Sequence, residues 1–386
     1  MKTTLSLFLC LVMVFALTAI PAQAEEAALP SGTADFGTLE IMPMDDATAY
    51  YQQLLEAEKY NYKILRNIPS AFDPDAYEAY EASASKAIRG NRLGEKQQKL
   101  LDETVEIRRN MERVRSYEDT MWKLWPAVMP MTESSEDLDF TDAYNNPGFE
   151  PYLVPYLLDD QAAVKGNLIV IAGGGYSGRN NWNEGFPIVD AFTALGYNCY
   201  LLQRRVSPFS VEDIWMDMQR AIRLVRYNVE ARGLGGADCI AAAGFSGGSA
   251  TMLGSVANYY GSILPSDADG NYEPDEIDAY NADLDVALCI YGPNYAGQHP
   301  YEGLVTENEK LPAMFIVAGL QDNTGAQYDN LKLVESVQDK TLVEYHAFAN
   351  VPHGFGITYE GTNAQYWSVM ADCFIDQAIA AKLAAG

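Results

Sequence analysis

Residues 239–250 read Cys239-Ile240-Ala241-Ala242-Ala243-Gly244-Phe245-Ser246-Gly247-Gly248-Ser249-Ala250. An apolar run leads into Gly244-Phe245-Ser246-Gly247-Gly248, which fits G-x-S-x-G. A serine on a sharp strand-to-helix turn is lifted clear of the backbone, and its neighbours must be small because the turn is crowded. The expected helix, Gly247 to Tyr259, would set its N-terminal N–H groups and positive dipole end beside the hydroxyl. Ser246 is the candidate nucleophile, and the N–H of Gly247 is a candidate oxyanion donor.

Outward from this stretch, short apolar runs alternate with amphipathic ones. Strands are expected at Asn167–Ala172, Tyr197–Leu202, Cys239–Phe245, Val286–Tyr291, Ala313–Ala318 and Leu342–Phe348. Helices are expected near 184–195, 212–231, 247–259, 325–337 and 362–383. In the second of these, Ile214, Met218, Ile222 and Val225 share one face. Continuously apolar strands between helices predict an α/β architecture, a mostly parallel sheet covered on both faces. Right-handed crossovers then bring the C-terminal strand ends to one rim, where sites form.

A serine hydroxyl needs a base, and the chain holds three histidines. His299 precedes Pro300 in a loop. His346 falls inside a strand, where a structural role fits best. His353 follows the last strand in Val351-Pro352-His353-Gly354-Phe355-Gly356, with glycines that permit a close approach. His353 is the candidate base. Asp322, just past the penultimate strand, is the candidate acid that orients the imidazole. Ala172-Gly173-Gly174-Gly175-Tyr176 follows the strand at 167–172, and Gly174, Gly175 and Tyr176 are candidate oxyanion-loop residues. A phosphate-binding loop is the rival reading, but no Walker lysine follows and no G-x-G-x-x-G register appears. Tyr176 and Trp182 are candidates for the substrate pocket, and core packing is an equal reading of Trp182.

The N-terminus reads as a processing signal over residues 1–24. Lys2 precedes an apolar run from Leu5 to Ile20, and Pro21-Ala22-Gln23-Ala24 supplies an A-x-A exit. The mature chain is expected to begin at Glu25, outside the cytoplasm and without a stable membrane anchor. Residues 25–149 are expected to be a lead and a helical extension or cap. Tyr51, Leu54, Leu55, Tyr62 and Leu65 form one stripe there, and Leu100, Thr104, Ile107, Met111 and Val114 form another. The catalytic domain is expected over 150–386.

Composition narrows the function classes. The 386 residues hold 53 Asp+Glu against 26 Lys+Arg, a net charge of −27. Cleavage of the signal removes Lys2 and no acid, leaving −28. Such a surface repels nucleic acid and anionic lipid. Hydrophobic residues make up 48% of the chain, enough for a large core. Residues 261–285 form an insertion with eight acids and no basic residue. Asp267-Ala268-Asp269-Gly270-Asn271 hints at a calcium loop, but Pro265 occupies the first ligand position, so a solvated acidic loop is expected. Cys199, Cys239 and Cys289 sit in apolar runs as small hydrophobes, and no disulfide framework is expected. No metal or organic cofactor is expected.

Taken together, several motifs resemble the α/β-hydrolase superfamily in its esterase/lipase branch. They are Gly173-Gly174-Gly175-Tyr176-Ser177-Gly178, Gln203-Arg204-Arg205-Val206, Gln219-Arg220-Ala221-Ile222-Arg223, Gly244-Phe245-Ser246-Gly247-Gly248, Asp322 and His353-Gly354-Phe355-Gly356. The order Ser246, Asp322, His353 is the order of that fold. The resemblance spans about residues 150–386 and looks closest to secreted bacterial acetylxylan-esterase-like and hormone-sensitive-lipase-like enzymes. Two positions depart from the pattern: Ala172 stands where many relatives carry His, and Ser249-Ala250 stands where Gly-His is common. The resemblance implies hydrolysis of carboxylic esters, often acetyl groups on plant polysaccharides. The competing expectations are a serine peptidase on the same fold and a non-catalytic binding protein on a hydrolase scaffold.

Overall fold

The apolar runs become strands of one sheet in a computed structural model that describes residues 121–125, 128–132, 138, 149–292 and 310–385. The expected signal segment, the lead, the helical stretch as far as residue 120 and His299 lie outside these residues. The strands are β1 (Trp122–Lys123), β2 (Tyr152–Tyr156), β3 (Gly166–Ile171), β4 (Tyr197–Gln203), β5 (Ile240–Phe245), β6 (Val286–Ile290), β7 (Ala313–Gly319) and β8 (Val343–Phe348). Their order is β1-β2-β4-β3-β5-β6-β7-β8. β2 runs antiparallel to both β1 and β4, and every later pairing is parallel.

Alternation within each strand sends side chains to two cores. Leu168 and Val170 of β3 join one core with Ala241, Ala243 and Phe245 of β5. Ile169 and Ile171 join the other with Ile240 and Ala242. The first core is covered by α2 (Phe186–Ala194) and α6 (Trp367–Ala385). The second is covered by α3 (Val211–Arg232) and α4 (Gly247–Asn258), with Leu333 and Val337 of α5 (Ala326–Val337). A strand buried on both faces favours apolar side chains throughout, which is why residues 168–171 of β3 and 240–243 of β5 are unbroken hydrophobic runs. The buried Asn167 of β3 donates to the carbonyls of Gly235 and Gly236. Each fully buried Leu or Ile contributes about 1.5–3 kcal/mol, so the two cores fix the strand register.

The structure modifies three expectations. The helix expected near 184–195 is two, α1 (Asn181–Glu184) and α2, divided at Gly185. A Cβ on Gly185 would lie 2.7 Å from the carbonyl oxygen of Asn181. The sheet begins upstream of residue 150: Trp122 and Lys123 pair with Leu153 and Tyr152, and Leu124 and Trp125 are buried behind them. The third change concerns the acidic insertion. Asp278 is buried against Arg220 and Arg223 of α3 at 3.0 and 3.4 Å, and Asp275 also pairs with Arg220. Arg223 donates to the carbonyl of Ile263 at 2.8 Å, and Asp283 and Asp285 accept from the N–H groups of Gly261 and Ile240. The insertion is therefore anchored through Asp275, Asp278, Asp283 and Asp285, while Asp267, Glu273 and Glu276 stay exposed as expected. Asp275 and Asp278 answer arginines on the covered side of α3, because a buried cation requires a partner. The helix itself is capped at both ends. Ser210 accepts from Asp213 N–H, and Gly233 closes the C-terminus with φ 74°.

Cys199, Cys239 and Cys289 are buried as small hydrophobes; Cys373 is exposed, and all four are free. Among the described residues, no helix is long and apolar enough to cross a membrane.

Candidate active site

Phe245 ends β5 and Gly247 begins α4, so Ser246 alone makes the turn, at φ 50° and ψ −119°. A non-glycine residue held there stores about 1–3 kcal/mol of strain. The surroundings hold it in place. Ser246 N–H donates to the carbonyl of Ile290 at 2.9 Å, and the N–H groups of Ser249 and Ala250 return to the Ser246 carbonyl. A Cβ on Gly248 would lie 2.1 Å from the carbonyl oxygen of Ile171, so the turn packs directly on the end of β3 and admits only glycine.

His353 and Asp322 arrive from neighbouring strand ends. His353 Nε2 lies 2.9 Å from Ser246 Oγ. Its Nδ1 lies 2.7 Å from Asp322 Oδ2. The other carboxylate oxygen of Asp322 accepts from the N–H of Thr324 at 2.8 Å and from its hydroxyl at 2.6 Å. Burial opposes ionisation of Asp322, but the bonds from His353 and Thr324 outweigh it and hold the carboxyl below its ordinary range. An ionised Asp322 needs the proton of imidazole on Nδ1, which leaves Nε2 to accept from Ser246. The edge of the Tyr291 ring packs against the imidazole, with centroids 5.0 Å apart.

The glycine loop after β3 closes the other side. A Cβ on Gly247 would lie 2.3 Å from the Gly175 carbonyl oxygen, so this loop and the start of α4 are in direct contact. Gly174 and Gly175 turn with φ 113° and 65°. Arg204, fully buried, donates to the carbonyls of Gly175 and Gly178 at 2.9 and 3.3 Å. The N–H of Gly173 is committed to Glu184 at 2.8 Å, so Gly174 and Gly175 remain the candidate glycine donors of this loop. Tyr176 is half-buried, and its hydroxyl meets Trp215 Nε1 of α3 at 3.4 Å. Trp182 lies in α1, and its side chain lies outside the described residues.

Sequence reasoning brought forward Ser246, Asp322, His353, Gly247 and the glycine loop, and these five features meet at one rim. His346 lies apart on β8, with Nε2 2.5 Å from Glu344. The reasoning missed Thr324, Glu184, Tyr291 and Asn183. Tyr291 carried a faint signal, since it ends a strand whose C-terminus faces the same rim. Glu184 carried none. Among the described residues, no group of three His, Cys, Asp or Glu is arranged to hold a metal.

No protein-family model and no curated protein matches this chain. Solved structures do. An acetyl ester-xyloside bifunctional hydrolase from Caldicellulosiruptor lactoaceticus is 23% identical with a TM-score of 0.52, covering 67% of this chain and 96% of its own. Thermogutta terrifontis esterase 2 is 20% identical at a TM-score of 0.49, covering 66% and 96%. An α/β hydrolase enzyme from a Medee basin deep-sea metagenome library is 19% identical at 0.45, covering 59% and 93%. With the strand order, the elbow at Ser246 and the first of these likenesses together, the chain has the α/β-hydrolase fold.

Proposed function

We propose that this protein is a serine hydrolase that cleaves carboxylic esters. The observation that carries the reading is the relay from Ser246 Oγ to His353 Nε2 at 2.9 Å and from His353 Nδ1 to Asp322 at 2.7 Å. Three strand ends supply it, beside two N–H-bearing turns. His353 takes the hydroxyl proton as Oγ bonds to the ester carbonyl carbon. The oxyanion so formed accepts hydrogen bonds from Gly247 and from the loop of Gly174, Gly175 and Tyr176. Asp322 stabilises the imidazolium and fixes its ring. His353 then gives its proton to the leaving alcohol oxygen as the carbon–oxygen bond breaks, and an acyl-enzyme remains. A water molecule, deprotonated by His353, attacks the acyl carbon, and the carboxylate product leaves as the proton returns to Ser246.

The substrates are short acyl esters, acetyl esters on carbohydrate among them. Two observations support this class. The similar Caldicellulosiruptor structure is named for an acetyl ester activity, and an acidic surface favours neutral substrates over polyanions. Residues 1–24 are read as a secretory signal, which places the enzyme outside the cytoplasm. The purified protein should hydrolyse p-nitrophenyl acetate and release acetate from acetylated xylo-oligosaccharides, and it should leave a dipeptidyl amide intact. Turnover of the amide without turnover of any ester would replace this reading with a peptidase.

A further inference from the structure

Glu184 is a buried carboxylate that the steps above do not use. It is 3% exposed and lies in the four-residue α1, between the two loops that approach Ser246. Each of its oxygens is taken. Oε2 accepts from Gly173 N–H at 2.8 Å. Oε1 accepts from the Tyr291 hydroxyl at 3.0 Å. That hydroxyl in turn accepts from Gly356 N–H at 3.1 Å. The chain of bonds therefore runs from the glycine loop, through Glu184 and Tyr291, to the loop that carries His353. The neighbouring Asn183 ties α1 to the same loop, since its Nδ2 donates to the Gly354 carbonyl at 2.9 Å.

Burying a carboxylate costs several kcal/mol unless donors satisfy it. Here burial raises its pKa, while the bonds from Tyr291 and Gly173 and the attraction of His353 oppose the rise. Tyr291 is held in an uncommon backbone conformation, φ 39°, which directs its hydroxyl inward while its ring lies on His353. An apolar pair in its place would leave the N–H groups of Gly173 and Gly356 without acceptors. A carboxylate that accepts on both oxygens satisfies the first directly and, through the Tyr291 hydroxyl, ties it to the second.

We propose that Glu184 is a positioning residue that, through Tyr291, holds the oxyanion loop and the His353 loop in register about Ser246. This inference rests on the ester-hydrolase reading. Gln at position 184 keeps the shape but presents an NH2 donor in place of one acceptor oxygen, so either the bond from Gly173 N–H is lost or the bond from the Tyr291 hydroxyl is reversed. The loss falls on the transition state, where the oxyanion donors and the base must act together, and not on substrate binding.

The test measures p-nitrophenyl acetate hydrolysis per active site, with sites counted by fluorophosphonate labelling. For Glu184→Gln, kcat should fall by about 30-fold with KM within about threefold of wild type. Tyr291→Phe should lower kcat by about tenfold, and the double variant should fall no more than about threefold below Glu184→Gln, because both act through one chain of bonds. A merely structural role would reduce the labelled fraction or the melting temperature and leave kcat per site unchanged. Wild-type kcat per site in both single variants overturns the proposal, and so do losses that multiply in the double variant. If Glu184→Gln does not fold, Tyr291→Phe decides alone, and an unchanged kcat there overturns it. A wild-type protein that neither labels nor hydrolyses the ester defeats the ester-hydrolase reading instead.

Discussion

On the α3 face, Arg205, Arg220 and Arg223 are buried against carboxylates. Arg205 meets Asp217 at 2.8 Å with both side chains sealed from solvent, and Asp278 serves both Arg220 and Arg223. At the rim, Glu184 and Asp322 are buried with no arginine or lysine partner among the described residues. They face N–H groups, hydroxyls and an imidazole. Charge paired with fixed opposite charge is spent on holding the insertion and the N-terminal segment to the sheet. Charge satisfied by dipoles holds the groups around Ser246 in place: Asp322 orients His353, which carries the proton, and Glu184 joins the two loops beside it. Burial alone therefore does not mark a functional carboxylate in this molecule, but the kind of partner does.

The sharpest way to break this contrast is at the rim. Ser246→Ala should lower kcat/KM by about 10⁴-fold or more and leave the denaturant midpoint close to wild type. Retained hydrolysis in that variant would remove the nucleophile. On the α3 face the pattern should invert. Asp278→Ala removes the carboxylate shared by two buried guanidinium groups, leaving Arg220 to Asp275 and Arg223 to backbone carbonyls, and also removes the acceptor for the Tyr272 hydroxyl, 2.7 Å away. It should cost about 3–5 kcal/mol in urea unfolding while kcat per labelled site stays near wild type. An Asp278→Ala protein that loses activity without losing stability would show that the two regions do not divide the work as described.

The smallest effect is expected at Thr324, where the two roles meet. Thr324→Val removes the hydroxyl bond to Asp322 but keeps the backbone one. It should lower kcat by about three- to tenfold, the scale of one hydrogen bond. Against the opposing pull of burial, bonds from His353 and Thr324 depress the Asp322 pKa. The stability this carboxylate contributes is thus complete above its unfolded pKa of about 3.9 and is lost as pH falls through the lower folded value. In Thr324→Val the acid-unfolding midpoint should move to higher pH. A midpoint at or below that of wild type would contradict the assignment of Thr324.

Much of the rim was legible before the structure, for a physical reason. An elbow serine demands small neighbours and a strand before it, and both demands are local in sequence. The histidine and aspartate were legible because they follow strands whose ends the topology gathers together. β2 was not legible. It contains Pro155, which cannot donate to a ladder and so argues against an inner strand. The sheet accommodates it because β1 pairs with Tyr152 and Leu153 only, leaving no described strand beside Pro155 on that side. β1, with two residues, has no periodicity to read. Glu184 and Tyr291, 107 positions apart, are joined by tertiary approach alone. Asp275 and Asp278 looked like solvent-facing charge because the arginines that pair with them lie on a helix some 50 residues earlier; Arg223 and Asp278 are 55 positions apart.

The central claim is that Ser246 is a nucleophile activated by His353. A fluorophosphonate probe, followed by peptide mass analysis, tests it most directly. The account predicts one phosphonyl adduct per chain, located on Ser246, formed at neutral pH and abolished by His353→Ala. An unlabelled wild-type protein, an adduct on another residue, or labelling of Ser246 that persists unchanged in His353→Ala would contradict it.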